Sequence, residues 1–340
     1  MNAVGGLDLE AVARFFADHV PGFDGELRAE LVQGGRSNLT YKVTDGRNRW
    51  VLRRPPLGGL TPSAHDVGRE FRVVSALAGS GVPVARAVAL GDEKAMGVPF
   101  AVVEYVDGVV VRTEDDLDAL SDLTAVRCAL GLVDVLARLH AVEPAAVGLS
   151  DLGRPEGYLT RQVRRWYDQW RRVRTRDIAD IDVLYERLAA ARPAESGVSI
   201  VHGDFRIDNA ILDRDDPSRI RALVDWEMAT IGDPLADLGL HLVYTDPAFS
   251  PVLAGGAAST SSRLPSPEEL AGHYATVSGR SLDHLGFYLA LGYFKIAVIA
   301  EGIHARHRQG LTLGAGFETV GEAPEPLAAA GLKALRSEGH

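Results

Sequence analysis

Residues Val201 to Asn209 read V-H-G-D-F-R-I-D-N, and sixteen residues after Asn209 lies the Asp of V-D-W-E, Val224 to Glu227. These are the residue types that phosphoryl transfer draws on. One carboxylate accepts the proton of an attacking hydroxyl, while an amide and a second carboxylate fix magnesium on nucleotide phosphates. An Asp followed five residues later by Asn, then an apolar run ending in Asp, supplies all three. The competing reading is a polar turn in which Asp and Asn act as caps, since H-G-D alone is a weak pattern. Two motifs in the right order, each after an apolar run, favour the chemical reading.

Such a loop needs rigid elements around it. Ile200–Val201 and Ile220–Val224 are short apolar runs on either side, which predicts a small hairpin carrying the chemistry inside a helical region. Helical spacing dominates from Asp107 onward: Leu130, Val133, Leu136 and Leu139 share one face, and Tyr158–Ala191 reads as a long Arg-rich helical stretch. Earlier, Asn38–Thr44 and Arg49–Arg53 bracket the Asp45–Gly46 turn as a hairpin, and Val82–Leu90 and Val98–Tyr105 read as two further strands. Between them Phe71, Val74 and Leu77 recur at helical spacing until Gly79–Gly81. The boundary falls near Val106–Gly108. Phe249–Pro265, rich in Gly, Ser and Pro, is expected to be a long mobile loop, and the segment after Gly321 to fray.

The chain has 340 residues, 46% hydrophobic and 24% charged, enough to bury a core in two lobes. A formal net charge of −10 argues against non-specific binding to nucleic acid or to an anionic membrane, both of which select basic surfaces. The single cysteine, Cys128, rules out an intramolecular disulfide and a cysteine zinc cluster, and reads as a buried helix thiol. Met1–Pro21 lacks a basic segment followed by an apolar run and reads instead as a short amphipathic helix through Leu9, Val12 and Phe16, so a cytoplasmic chain is expected. Leu285–Ala300 is apolar except for Lys295, but is shorter than the roughly 20 residues that a bilayer requires. It reads as a core helix.

The loop motif and its downstream Asp resemble the aminoglycoside phosphotransferase and choline-kinase-like family, whose signature is H-x-D-x-x-x-x-N followed by a magnesium-binding Asp. The match covers most of the chain. It implies an α+β, protein-kinase-like two-lobe fold. Residues 1–106 would form a small antiparallel-sheet nucleotide-binding lobe, and residues 107–340 a larger, mainly helical lobe with the catalytic loop and the acceptor site. Carried over residue by residue, the resemblance implies Asp204 as catalytic base and His202 as a buried prop. Asn209 and Asp225 become Mg2+ ligands, assisted by Glu227 through water, and Arg206 a cation facing the transferred phosphate.

In L-V-Q-G-G-R-S-N-L-T-Y-K-V, Leu31 to Val43, Gly34 and Gly35 with Ser37 and Asn38 would bring backbone N–H groups to the ATP phosphates. Arg53 stands where the family keeps a phosphate-binding lysine, and Glu70 is its natural partner. Val102 to Gly108 resembles a kinase hinge, with the Glu104 carbonyl and the Val106 N–H facing adenine. In G-D-P-L-A-D-L-G, Gly232 to Gly239, Asp233 and Asp237 are assigned to structure, with Asp237 expected to accept backbone N–H bonds from the catalytic loop. Two rivals remain. One is a nucleotide-binding pseudokinase or scaffold, motivated by Arg53. The other is a metal-dependent hydrolase using His202, Asp204, Asp225 and Glu227, for which the sequence supplies few histidines at ligand spacing.

The acceptor leaves one trace. Between Arg161 and Arg176 lie seven arginines against one acid, Asp168, interleaved with Trp166, Tyr167 and Trp170. Polycationic aminoglycosides would be repelled by such a wall, so a small hydroxylated acceptor that is neutral or anionic is expected if it lines the pocket. The alternative is a solvated Arg-rich face with its tryptophans packed inward. R-E-F-R and V-D-W-E-M-A-T-I-G-D-P further resemble phosphotransferase domains found beside acyl-CoA dehydrogenases, which points to an acidic or thioester-linked hydroxy compound.

Overall fold

The computed structural model describes residues 3–32, 38–56, 66–253, 257–312 and 316–337. The chain divides into two compact units, Met1–Gly108 with Arg221–Ala229, and Val109–Ile220 with Thr230–His340.

In the first unit a five-stranded antiparallel sheet is built from β1 (Arg28–Leu31), β2 (Leu39–Thr44), β3 (Arg49–Arg54), β4 (Ala87–Gly91) and β5 (Phe100–Glu104), in the order β1-β2-β3-β5-β4. β3 alternates: Trp50, Leu52 and Arg54 are buried while Arg49 is exposed, as a half-buried strand requires. The β2–β3 hairpin turns at Asp45, whose carboxylate accepts the Arg47 and Asn48 N–H groups at 2.8 and 2.6 Å. Helix α1 (Leu9–His19), capped by Asp8, seals one side of the core. Its Phe16 meets Trp50 edge-on at 5.4 Å and Phe15 meets Phe100 at 4.8 Å. Helix α2 (Val67–Leu77) is capped by Asp66 and carries Glu70 on its buried face beside Val73, Val74 and Leu77. Val82–Leu90 was expected as one strand; only Ala87–Gly91 pairs, because the Leu223 N–H takes the Pro83 carbonyl at 2.8 Å and Val84 bridges Leu223.

The second unit is mainly helical. Its longer helices are α3 (Asp122–Ala141), α4 (Tyr158–Val173), α5 (Ala179–Ala190), α6 (Pro234–Val243), α7 (Pro267–Ser278), α8 (Leu285–Arg308) and α9 (Pro324–Arg336), and strands β6 (Ser199–Val201) and β7 (Thr230–Gly232) form a small antiparallel pair. The expected hairpin of Ile200–Val201 with Ile220–Val224 is therefore corrected, since Val201 pairs with Thr230 and Ile200 with Ile231. A short apolar run declares that a strand is buried but not which strand it meets.

Three other expectations change. Tyr158–Ala191 is two helices, broken where Glu301 of α8 accepts the Thr175 N–H and hydroxyl at 2.8 and 2.7 Å. Phe249–Pro265 is no long loop in its described residues: Pro247–Val252 and Ala258–Thr260 are short 3-10 turns that bury Phe249, Val252, Ala257 and Ala258. The segment after Gly321 forms α9, held to α8 by buried Leu327, Ala328 and Leu332. Composition signalled a loose end, and apolar burial overrode it. α8 is long and apolar enough to cross a membrane by length and composition, yet Phe287, Leu291, Phe294 and Val298 are buried within the unit, as a core helix requires.

Candidate active site

The loop after β6 owes its shape to one glycine and one acid. Gly203 sits at φ 82°, the left-handed region that a side chain disfavours. Asp237, on α6, accepts the His202 N–H at 2.6 Å and the Gly203 N–H at 2.9 Å, the bonds expected of it from the sequence. His202 is fully buried, and its Nδ1 accepts the Asp204 N–H at 3.3 Å. The next turn of α6 adds His241, whose Nδ1 donates to the Phe205 carbonyl at 3.1 Å. Burial holds His241 below the ordinary histidine range, so it donates as a neutral ring.

Both oxygens of Asp204 are held. Oδ1 accepts the Tyr244 hydroxyl at 2.5 Å and lies 3.4 Å from the Arg206 guanidinium, while Oδ2 accepts the Asn209 amide at 3.0 Å. Burial pushes this carboxyl up. Arg206, the Tyr244 hydroxyl, Lys295 and His202 together outweigh that effect and keep it below the usual carboxylate range. Arg206 is turned inward on the loop itself, bridging Asp204 and Asp208, the latter at 3.2 Å, with its guanidinium over the Tyr244 ring at 5.5 Å. It is not a solvated loop arginine. With its NH2 spent on Asp204, the group Asn209 could offer a cation is its oxygen.

The residues assigned to nucleotide and metal in the first unit form a second cluster. Arg53 on β3 pairs with Glu70 of α2 and reaches Asp225 Oδ1 at 3.1 Å. Glu227 adds to the negative field around Arg53, and although burial opposes the guanidinium charge, Glu70 and Asp225 raise its pKa above the ordinary value. Asp225 has φ 67°, a left-handed backbone that Asp tolerates better than most residues. The Arg69 guanidinium ties α2 to the same segment through the Ala229 carbonyl at 2.8 Å. Glu104 ends β5, its N–H on the Arg86 carbonyl at 2.9 Å and its side chain on Arg86 at 3.0 Å, and Val106 follows, partly buried. Asn38 is buried, and among the described residues neither of its side-chain polar atoms has a hydrogen-bond partner. Gly34, Gly35 and Ser37 lie outside the described residues.

Among the described residues no three His, Cys, Asp or Glu side chains converge in a group that could hold a metal ion by themselves. An amide oxygen and a carboxylate fit magnesium, which keeps water and substrate phosphates among its ligands and rarely takes an all-protein cage.

A model of the phosphotransferase enzyme family matches residues 28–273. The chain belongs to this family. It is 33% identical over 335 residues to human acyl-CoA dehydrogenase family member 11, covering 96% of this chain and 43% of that protein. The chain thus spans less than half the length of this curated relative. A crystal structure of a putative aminoglycoside phosphotransferase from Ralstonia eutropha JMP134 is 32% identical with a TM-score of 0.82, over 97% of this chain and 98% of that one. Choline kinase from Cryptosporidium parvum Iowa II, at 12% identity, shares the fold with a TM-score of 0.67, over 97% and 96% of the two chains. The fold is therefore the protein-kinase-like α+β fold, with a small antiparallel-sheet unit and a larger helical one.

Two residues that hold this loop of the phosphotransferase-family chain were missed from the sequence, and both had a signal. Tyr244 lies seven residues after Asp237 and three after His241, the spacing of a single helix face, so one stripe running to the end of α6 holds the whole loop. Lys295 was noted only as the charge interrupting an apolar run. A lysine inside a buried helix needs a partner, and its Nζ donates to the Gly203 carbonyl at 2.6 Å. The Arg-rich segment, in contrast, mostly serves structure. Arg161 binds the Arg154 and Glu156 carbonyls, Arg164 faces Asp168 at 3.9 Å, Arg174 faces Asp177 at 3.3 Å, and Arg176 meets Gly321 and Glu301. Trp170 is buried, and Tyr167 stacks on Tyr185 at 3.7 Å.

Proposed function

We propose that the chain transfers the γ-phosphoryl group of ATP to a hydroxyl of a small neutral or anionic molecule. The acceptor oxygen bonds to the γ-phosphorus, the bond from that phosphorus to the β–γ bridging oxygen breaks, ADP leaves, and the hydroxyl proton passes to the Asp204 carboxylate. The observation that carries this reading is Asp204 itself, a part-buried carboxylate held below the usual carboxylate range and fixed at both oxygens, five residues before an Asn whose amide is bonded to it. A loose phosphoryl-transfer transition state needs placement and charge neutralisation more than a strong base, so a carboxylate of low pKa suffices.

On this reading Asn209 and Asp225 hold Mg2+, whose chemistry is to neutralise charge on the phosphates. Arg53, steadied by Glu70, takes the lysine's place against the phosphates, and the Glu104–Val106 backbone receives adenine. Support comes from the family and from Arg53 pairing with Glu70, the partner expected of it. The likeness to a protein named as an acyl-CoA dehydrogenase family member makes hydroxy acids and their thioesters the first acceptors to try.

The test is ADP release from ATP and Mg2+ across hydroxylated acids, thioesters, sugars and amino alcohols. Acceptor-dependent release by wild type that disappears in Asp204→Ala is expected. Nucleotide binding with no acceptor-dependent release from any of them would favour a scaffold instead.

A further inference from the structure

Lys295 is a cation placed against the catalytic loop from outside it. Its ammonium has three N–H donors, of which one goes to the Gly203 carbonyl, and among the described residues the other two have no hydrogen-bond partner. The ammonium also lies 5.4 Å from the centre of the Trp166 ring, and the Arg165 guanidinium lies 5.6 Å from the same ring. Arg165 is exposed and, unlike Arg161, Arg164, Arg174 and Arg176, has no acid or carbonyl partner among the described residues.

The two carboxylates near Lys295 are both occupied. Asp204 is held by Tyr244, Arg206 and Asn209, and Asp237 by the loop N–H groups and by His140 at 3.4 Å. Lys295 thus feels both fields without a direct ion pair to either, a costly state for a partly buried charge. Burial accordingly brings its pKa down to about 8, with Asp204 and Asp237 opposing that shift and Arg165 adding to it.

We propose that Lys295, with Arg165 against the same indole, binds an anionic group of the acceptor, so that the preferred acceptor is a small hydroxylated carboxylate rather than a neutral alcohol. This rests on the phosphotransferase reading above. An ammonium pinned by one hydrogen bond to Gly203, the residue before Asp204, has a fixed position relative to the base. An acceptor carboxylate taking the two remaining donors would therefore set where its own hydroxyl lies. The indole face excludes water from one side of the ion pair, which strengthens it.

The experiment compares hydroxycarboxylates with their methyl esters, matched in chain length, by ADP release from wild type, Lys295→Met, Lys295→Arg and Arg165→Ala. Wild type is expected to prefer the acids. Lys295→Met should raise KM for the acids at least roughly tenfold, the scale of one hydrogen bond to a charged group. Its KM for the esters and for ATP should stay near wild type, while kcat falls alike for acids and esters because the Gly203 contact is lost as well, and Lys295→Arg should recover part of both losses. Arg165→Ala, a surface change that leaves the fold intact, should raise KM for the acids by a smaller factor and leave the esters alone.

The proposal is overturned if wild type uses acids and esters equally. It is also overturned if Lys295→Met lowers kcat for both alike with KM unchanged, because that is the signature of a loop prop. Absence of ADP release with every acceptor, charged or neutral, is a different result: it sinks the phosphotransferase reading, and this assignment falls with it.

Discussion

The two units hold their key carboxylates by opposite means. In the second, Asp204 is fixed by a hydroxyl, an amide and a backbone-anchored loop, with Arg206 farther off at 3.4 Å. In the first, Asp225 depends on one guanidinium, which it shares with the more buried Glu70. Dipolar donors fix an anion without cancelling its charge, which suits the proton-accepting role proposed for Asp204. A shared cation fixes two anions at once, and its removal leaves both of them exposed to each other. The same change of one side chain should therefore silence chemistry in the second unit and disturb folding and nucleotide affinity in the first.

The largest effect tests the chemical side. Asp204→Ala is expected to cut acceptor-dependent turnover by roughly 10²–10⁴-fold, the usual range for a positioned acid–base group. Calorimetric titration with a non-hydrolysable ATP analogue should show affinity near wild type; loss of binding would mean that Asp204 belongs to nucleotide recognition. Next comes the shared cation. Arg53→Met strands Glu70, whose side chain is 8% exposed, beside Asp225. Breaking a buried pair from one side costs about 3–5 kcal/mol, to be read from denaturant unfolding. Arg53→Lys should recover part of that. Stability unchanged in Arg53→Met would show that the cluster adds nothing, and the contrast between the units would collapse.

Tyr244→Phe probes how much a neutral donor contributes. The loss of a hydrogen bond to a buried carboxylate is worth about 1.5–3 kcal/mol, so a lower unfolding midpoint and a roughly tenfold fall in kcat are expected together. Binding of the ATP analogue should not change. If kcat rises instead, the hydroxyl competes with the acceptor for Oδ1 rather than orienting the base.

The two clusters were not equally legible. Asp204 and Asn209 could be read because they lie five residues apart in one loop, where spacing maps directly onto a turn, whereas Asp237 was placed through the family resemblance, its bonds to His202 and Gly203 spanning 35 and 34 positions. Arg53 and Glu70 could be placed only through the family resemblance, and Asp225, read from its spacing as a magnesium ligand, was not expected to meet Arg53, since these contacts join residues 17 and 172 positions apart and no local period reports such pairing. Tyr244 was hidden because an α6 read only as far as Gly239 omits its last turn. The partner of Ile200–Val201 was misjudged, and Phe249–Pro265 and α9 were read as loose, for one reason: composition reports what a segment tolerates, while burial against α8 or beneath a turn depends on tertiary neighbours.

The smallest effect decides what the Arg-rich helix does. Seen as sequence, seven arginines make one basic wall; in the structure Arg164 and Arg174 are exposed and spent on Asp168 and Asp177. Exposed pairs of this kind contribute little, so Arg164→Ala and Arg174→Ala should leave the unfolding midpoint and the acceptor KM unchanged. Arg165→Ala should differ from both, because its guanidinium lies against Trp166 and among the described residues has no acid partner. The comparison has a clean alternative outcome. If all three variants raise acceptor KM by similar factors, and the rise shrinks as ionic strength increases, then the helix acts through its summed field. Specificity would then belong to the whole face rather than to the Lys295–Trp166–Arg165 cluster. A loss confined to Arg165→Ala and insensitive to salt would locate it in direct contact.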